Sequence, residues 1–129
     1  MSHNVPENLK YTKEHEWTLI EGDVVTIGIT DFAQSALGDI VFVELPEVGG
    51  NMEIESAFGV VESIKSVSDL YAPLTGEVLE ANAELEGAPE LLNSDPYKNW
   101  IVKIKISNTT ELEQLMTPSA YLEHCNSIE

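Results

Sequence analysis

Residues 100 to 106, WIVKIKI, set Trp100, Val102, Ile104 and Ile106 on one side and Lys103 and Lys105 on the other. Successive side chains of a strand point to opposite faces, so this period of two reads as a strand with one face in a core and the other in water. Similar runs recur along the chain: EWTLI (16 to 20), DVVTIGI (23 to 29), DIVFVEL (39 to 45), SAFGVVE (56 to 62), SDLYAP (68 to 73) and GEVLEAN (76 to 82). Each is short and bounded by turn formers, with Glu21-Gly22-Asp23 as the first turn. A 129-residue chain can bury roughly two-thirds of its unfolded surface, which is enough for one core. The expected fold is mainly β, a small β-sandwich formed as a single domain over residues 1–129.

Helices are expected only at the periphery. Thr30 can cap a short helix through DFAQSAL that Gly38 stops, and TELEQLM with PSAYLEHC supplies one or two C-terminal helices at about residues 110–126. A weak internal echo fits two packed sheets. GDIVFVELPEVG, from Gly38 to Gly49, and GEVLEANAELEG, from Gly76 to Gly87, share a Gly-acid-aliphatic start and a terminal Gly at equal spacing. The aromatic residues Trp17, Trp100, Tyr71 and Phe42 are expected in the core rather than as stacking platforms.

The charge balance narrows the partners. Against 23 acids stand 6 cations, all lysines, for a formal net charge of -17. Such a surface repels phosphates, so nucleic acid and acidic membranes are poor partners, and proteins with basic surfaces are better ones. Solubility alone is the plainer account of the same acidity. The single cysteine, Cys125, rules out an internal disulfide, and neither the His124-Cys125 pair nor His3 and His15 have the spacing of a metal site or a nucleophile and base. No apolar run reaches membrane-spanning length, and MSHNVPENLKYTKEHEW carries neither a signal h-region nor an Arg-rich transit pattern. A cytoplasmic, monomeric protein is the expectation.

One lysine stands apart. Between SAFGVVE and SDLYAP the chain must turn, in a hairpin spanning about residues 56–73, and Lys65 falls near the tip between the small residues Ser63 and Ser66. It is also the only Lys or Arg from Glu14 to Tyr97. A solvated turn lysine, paired with Glu62 or Asp69, would stabilise little. A lysine that another protein can close around is the functional alternative.

Glu62-Ser63-Ile64-Lys65-Ser66, followed by Ser68-Asp69-Leu70-Tyr71-Ala72-Pro73 and Gly76-Glu77-Val78, resembles the lipoylation segment of the glycine cleavage system H proteins. LKYTKEHEW, VTIGITDFAQSALGDIVFVELPEVG and ELLNSDPYKNWIVKIKI resemble further segments of that family in the same order, covering nearly the whole chain. The resemblance implies a fold of the lipoyl-domain type, a sandwich or flattened barrel. It also implies lipoic acid joined by an amide to the Lys65 amine, and a carrier rather than an enzyme. In such a cycle a pyridoxal-phosphate glycine decarboxylase loads an aminomethyl group on the arm. A folate-dependent aminomethyltransferase removes the one-carbon unit, and a dihydrolipoyl dehydrogenase reoxidises the arm. A lipoate ligase or a lipoyl/octanoyl transferase would attach the cofactor.

Three acids acquire roles under this resemblance. Glu62 and Asp69 would be read by the attaching enzyme, and Glu16, beside Trp17, would supply a counter-charge in a water-poor cleft that parks the loaded arm. The alternatives are solvated hairpin acids for the first two and a strand-start acid for the third. Phe32, Ser66 and Lys98-Asn99 depart from the family's usual residues, which bears on the cleft and on docking rather than on attachment. A lipoyl relay that donates its cofactor to other enzymes is the nearest rival function. A biotin carrier is the other, and the flanks Ile64 and Ser66 argue against it.

Overall fold

In the computed structural model, which describes residues 4–128, the alternating run near the end of the sequence lies in the middle of a sheet. The strands are β1 (Lys10–Tyr11), β2 (Glu16–Glu21), β3 (Val24–Ile29), β4 (Ile40–Glu44), β5 (Asn51–Met52), β6 (Ala57–Ser63), β7 (Val67–Tyr71), β8 (Gly76–Ala81) and β9 (Val102–Ile106). The helices are α1 (Asp31–Leu37), α2 (Glu84–Gly87), α3 (Leu91–Ser94) and α4 (Pro118–Ile128), with a 3-10 turn at Thr109–Gln114. Six strands make one antiparallel sheet in the order β1-β2-β3-β9-β8-β5, and β4-β6-β7 make the other. With β1 and β5 as the edges of one sheet and β4 and β7 as the edges of the other, the arrangement is a sandwich and not a closed barrel. The two halves of the internal echo lie in different sheets, β4 in the small one and β8 in the large one.

The main core lies between the sheets. Val25 and Ile27 from β3, Val102 and Ile104 from β9 and Val78 from β8 meet Ile40, Val43, Val61 and Leu70 from the smaller sheet. Lys103 and Lys105 point away from that core, where Lys103 pairs with Glu80 and Lys105 with Asp23 at 3.9 and 4.0 Å. Such exposed pairs add little stability. A second, smaller cluster (Leu9, Tyr11, Trp17, Tyr121 and Cys125) fastens α4 and the N-terminal segment to the large sheet. Trp17 belongs there because its register partner on β3 is Gly28. A Cβ on that glycine would lie 2.6 Å from the indole ring, so the close approach requires glycine.

Two expectations need correction. Phe42 is not in the core: it is 44 % exposed. A β-bulge between Ile40 and Phe42 adds a residue to β4, so that Ile40 and Val43, three apart, both face inward and Val41 and Phe42 face out. Trp100 and Tyr71 are half-buried rather than core, Trp100 lying under the Lys103 ammonium at 4.9 Å. TELEQLM does not form an α-helix either. Its first residues take a 3-10 turn in which the Glu111 carboxylate swings inward to accept hydrogen bonds from the Thr75 backbone N–H and hydroxyl at 2.7 and 2.8 Å. The helix through PSAYLEHC forms as expected and runs on to Ile128.

Candidate functional site

The β6–β7 hairpin brings Lys65 to a tip fixed by one serine. In the ladder Glu62 opposes Val67, and the Ser63 N–H donates to the Ser66 carbonyl at 2.8 Å. Neither Ile64 nor Lys65 has a positive φ, so this is not the mirror-image turn that usually closes a two-residue hairpin. The Ser63 hydroxyl oxygen compensates by accepting the Lys65 and Ser66 N–H groups at 3.3 and 3.1 Å. The Ile64 N–H donates to the Asp39 carbonyl at 3.0 Å, tying the tip to the chain just after α1.

The Lys65 side chain is exposed and, among the described residues, makes no ion pair with Glu62, Asp69 or any other acid. Beside it lies Gly38, which ends α1 with φ +80. A Cβ there would come within 3.5 Å of the lysine Cε. A free, primary amine at a tied but accessible tip fits acylation by a carboxylic acid cofactor. Glu62 is half-buried in the middle strand one row from the tip, and Asp69 is exposed opposite Val60. Both acids therefore flank the lysine on the hairpin without neutralising it.

Glu16 is in a different setting. It opens β2 at 2 % exposure, with the Thr12 hydroxyl donating to Oε1 at 2.6 Å and the Tyr71 N–H donating to Oε2 at 3.3 Å. Burial pushes its pKa up to about 8 against the opposing pull of those two hydrogen bonds, and the nearby Glu14 adds to the rise. The carboxyl is thus mostly protonated at neutral pH. It lines a cavity of about 590 Å³ with Thr12, Ile54, Tyr71, Met116 and His124. The expected cleft paired Glu16 with Trp17: Glu16 lines this cavity, while Trp17 packs in the smaller cluster. Nothing in the sequence pointed to Met116 or His124 here, which reach the cavity from separate segments.

The loop that carries Glu16 is held by α4. His15 adopts the left-handed φ of +69, stacks on Phe32 at 4.5 Å, and shares a 2.8 Å hydrogen bond between Nδ1 and the Tyr121 hydroxyl. Burial, with His124 beside it, lowers the His15 pKa to about 4, so the ring is neutral. Cys125 faces inward in the smaller cluster while His124 turns outward to reach the Lys13 carbonyl at 3.2 Å, so adjacency in sequence does not make them a pair. His3 lies outside the described residues.

The structure joins the two regions through α1. Thr30 caps this helix with its hydroxyl on the Ala33 N–H, and its own N–H donates to the His15 carbonyl at 3.0 Å, beside Glu16. At the other end, Gly38 lies against Lys65. Seven residues of α-helix span about 10 Å, so the cavity and the lysine sit at opposite ends of one short element.

Residues 9–128 match the family described as Glycine cleavage H-protein. The chain belongs to the glycine cleavage H-protein family. Among curated relatives, the glycine cleavage system H protein of Symbiobacterium thermophilum is 56% identical over 119 residues, covering 92% of this chain and 93% of that protein. The H protein of Halothermothrix orenii is 54% identical over 127 residues, covering 98% of this chain and 99% of its own. Among solved structures, the crystal structure of a glycine cleavage system H protein from Mycobacterium marinum superposes with a TM-score of 0.84 at 37% identity, over 95% of this chain and 99% of that one. H proteins are the lipoyl carriers of the glycine cleavage system, and the two-sheet fold with a C-terminal helix is that of the family. Among the described residues no helix is long and apolar enough to cross a membrane.

Proposed function

We propose that the chain, as one carrier domain over residues 1–129, holds lipoic acid in amide linkage to the Lys65 Nζ. In this reading it serves a pyridoxal-phosphate glycine decarboxylase, a folate-dependent aminomethyltransferase and a dihydrolipoyl dehydrogenase in turn. The observation that carries the reading is the exposed Lys65 amine, in no ion pair among the described residues, at a tip tied down by Ser63 and Asp39. Bound lipoate supplies a cyclic disulfide capable of two-electron thiol–disulfide exchange, for which the one buried thiol of Cys125 is no substitute.

The remaining residues act by position. Ser63 orders the backbone on both sides of Lys65, so the attachment point is held while its side chain stays free. Glu62 and Asp69 present acid beside the amine to the attaching enzyme. Glu16, in its cavity at the far end of α1, receives the arm's amine: the neutral amine takes the proton that the carboxyl holds at neutral pH, which leaves an ammonium facing a carboxylate, and the ammonium's charge offsets the cost that burial sets on the ionised acid. Tethering replaces chance encounter of a free intermediate with delivery of a held one, which raises local concentration at each partner's site. In this reading it works in the cytoplasm as a monomer.

The test is loading of the lipoylated chain by purified glycine decarboxylase with labelled glycine. Label should appear on the wild type and be absent from Lys65→Arg. A lipoylated chain that takes up no label yet passes its lipoyl group to another enzyme would replace this reading with the relay.

A further inference from the structure

The outer face of the β4-β6-β7 sheet is bare around Lys65. Residues paired across an antiparallel ladder share a face, so the row Phe42–Glu62–Val67 points outward together, as does the next row, Glu44–Val60–Asp69. The inward row between them, Val43–Val61–Ser68, has Val43 and Val61 fully in the core. Phe42 and Val67 are 44 % and 66 % exposed; the bulged Val41 and the tip residue Ile64 add 53 % and 70 %. Single exposed apolar residues need no explanation. Here they gather at one end of one sheet around the lysine, whereas Val48, Leu122 and Ile128 are exposed elsewhere, on the connection after β4 and on α4. The bulge that turned Phe42 out is what creates the patch.

We infer that this face, with Val41, Phe42, Ile64 and Val67 as its apolar floor and Glu44, Glu62 and Asp69 as its acidic component, is the surface read by the enzyme that acylates Lys65. The inference rests on the carrier reading and deepens it. Acylation requires the activated carbonyl carbon to reach Nζ itself. The enzyme performing it must therefore close over the tip and cover the neighbouring side chains, while an enzyme acting at the far end of an attached arm need not. In that step the neutral amine attacks an acyl adenylate or acyl thioester, the C–N bond forms, the bond to AMP or thiol breaks, and the nitrogen's proton leaves to a base. No electron changes hands. The alternation of apolar and acidic positions specifies the partner: an apolar pocket with lysines and arginines around it. The turn is already ordered by Ser63 and Asp39, so little backbone freedom is lost on binding.

The test uses purified lipoate ligase with lipoic acid and ATP, acting on the unmodified full chain, read by intact mass against time. The double variant Val41→Thr, Val67→Thr keeps β-branched shape at two exposed positions. It is expected to raise the KM for the chain about tenfold, with kcat little changed and with an unaltered melting temperature. Val48→Thr, exposed but remote from the tip, is the control and keeps the wild-type KM. Titration of the unmodified chains into the ligase without ATP checks the same loss as binding. If the double variant is acylated with the wild-type KM and binds as tightly, the surface assignment is wrong while the carrier reading stands. If the ligase leaves the wild type unmodified at Lys65, both fall.

Discussion

Replacing Glu16 with Gln tests the state of the buried carboxyl directly. Glu16 has an ordinary carboxyl pKa of 4.5 when exposed and about 8 in the fold. Because the folded value is the higher one, the folded chain binds the extra proton throughout the window between them, and stability falls as pH rises from 4.5 toward 8. At about 1.4 kcal/mol per tenfold change, the loss is roughly 2–4 kcal/mol by pH 7 and about 4 kcal/mol by pH 8. Glutamine has the shape of the protonated acid: its carbonyl can accept the Tyr71 N–H, and the Thr12 hydroxyl can rotate to accept from its amide. The two chains should therefore be equally stable near pH 4.5, and the Glu16→Gln chain should gain that margin over the wild type by pH 7. Urea unfolding followed by tryptophan fluorescence at pH 4.5, 6, 7 and 8 measures the difference, and every other titrating group, being common to both chains, drops out of it. A difference that stays flat across this range would mean that Glu16 is ionised throughout, and the proposed proton release on arrival of an amine would be refuted.

Three other changes address the support of the site. His15→Asn keeps a residue that tolerates a left-handed φ but removes a ring whose pKa the fold lowers to about 4. The wild type holds that contribution above pH 6.5 and loses about 2–3 kcal/mol as pH falls through 4, so its advantage over the variant should shrink across that range in acid-unfolding curves. Gly28→Ala places a methyl group 2.6 Å from the Trp17 indole and should cost about 1–3 kcal/mol, seen as a lower melting temperature with shifted tryptophan fluorescence. Ser63→Ala removes the acceptor for two backbone N–H groups at an exposed turn. It should cost about 0.5–1.5 kcal/mol and speed hydrogen exchange at the Lys65 and Ser66 amides.

The strands were legible because a half-buried sheet writes a period of two into the chain, and β9, with Val102, Ile104 and Ile106 inward and its lysines outward, does so without interruption. Helix α1 was legible for a local reason as well, since Thr30 and Gly38 act on backbone groups within one turn of themselves. Phe42 was misjudged because a bulge shifts the inward and outward pattern by one, and nothing in IVFVE marks where the extra residue falls. The Thr109–Gln114 turn depends on Glu111 reaching Thr75, a contact between distant residues that helical propensity does not encode. The place of Lys65 at a hairpin tip was legible because its turn and its flanks are contiguous. A cleft at Glu16 was expected from the resemblance alone, and its lining was not legible, since Ile54, Tyr71 and His124 join Glu16 only after both sheets and α4 have packed. The two-residue strands β1 and β5 carry too little pattern to read at all.

The most direct measurement is peptide mass spectrometry of the chain purified from a cell that makes lipoate. The account predicts one lipoyl group per chain, carried by the peptide that contains Lys65 and absent from the Lys65→Arg protein. A chain with no lipoyl group, or one whose lipoyl group sits on Lys10, Lys13, Lys98, Lys103 or Lys105, would contradict it.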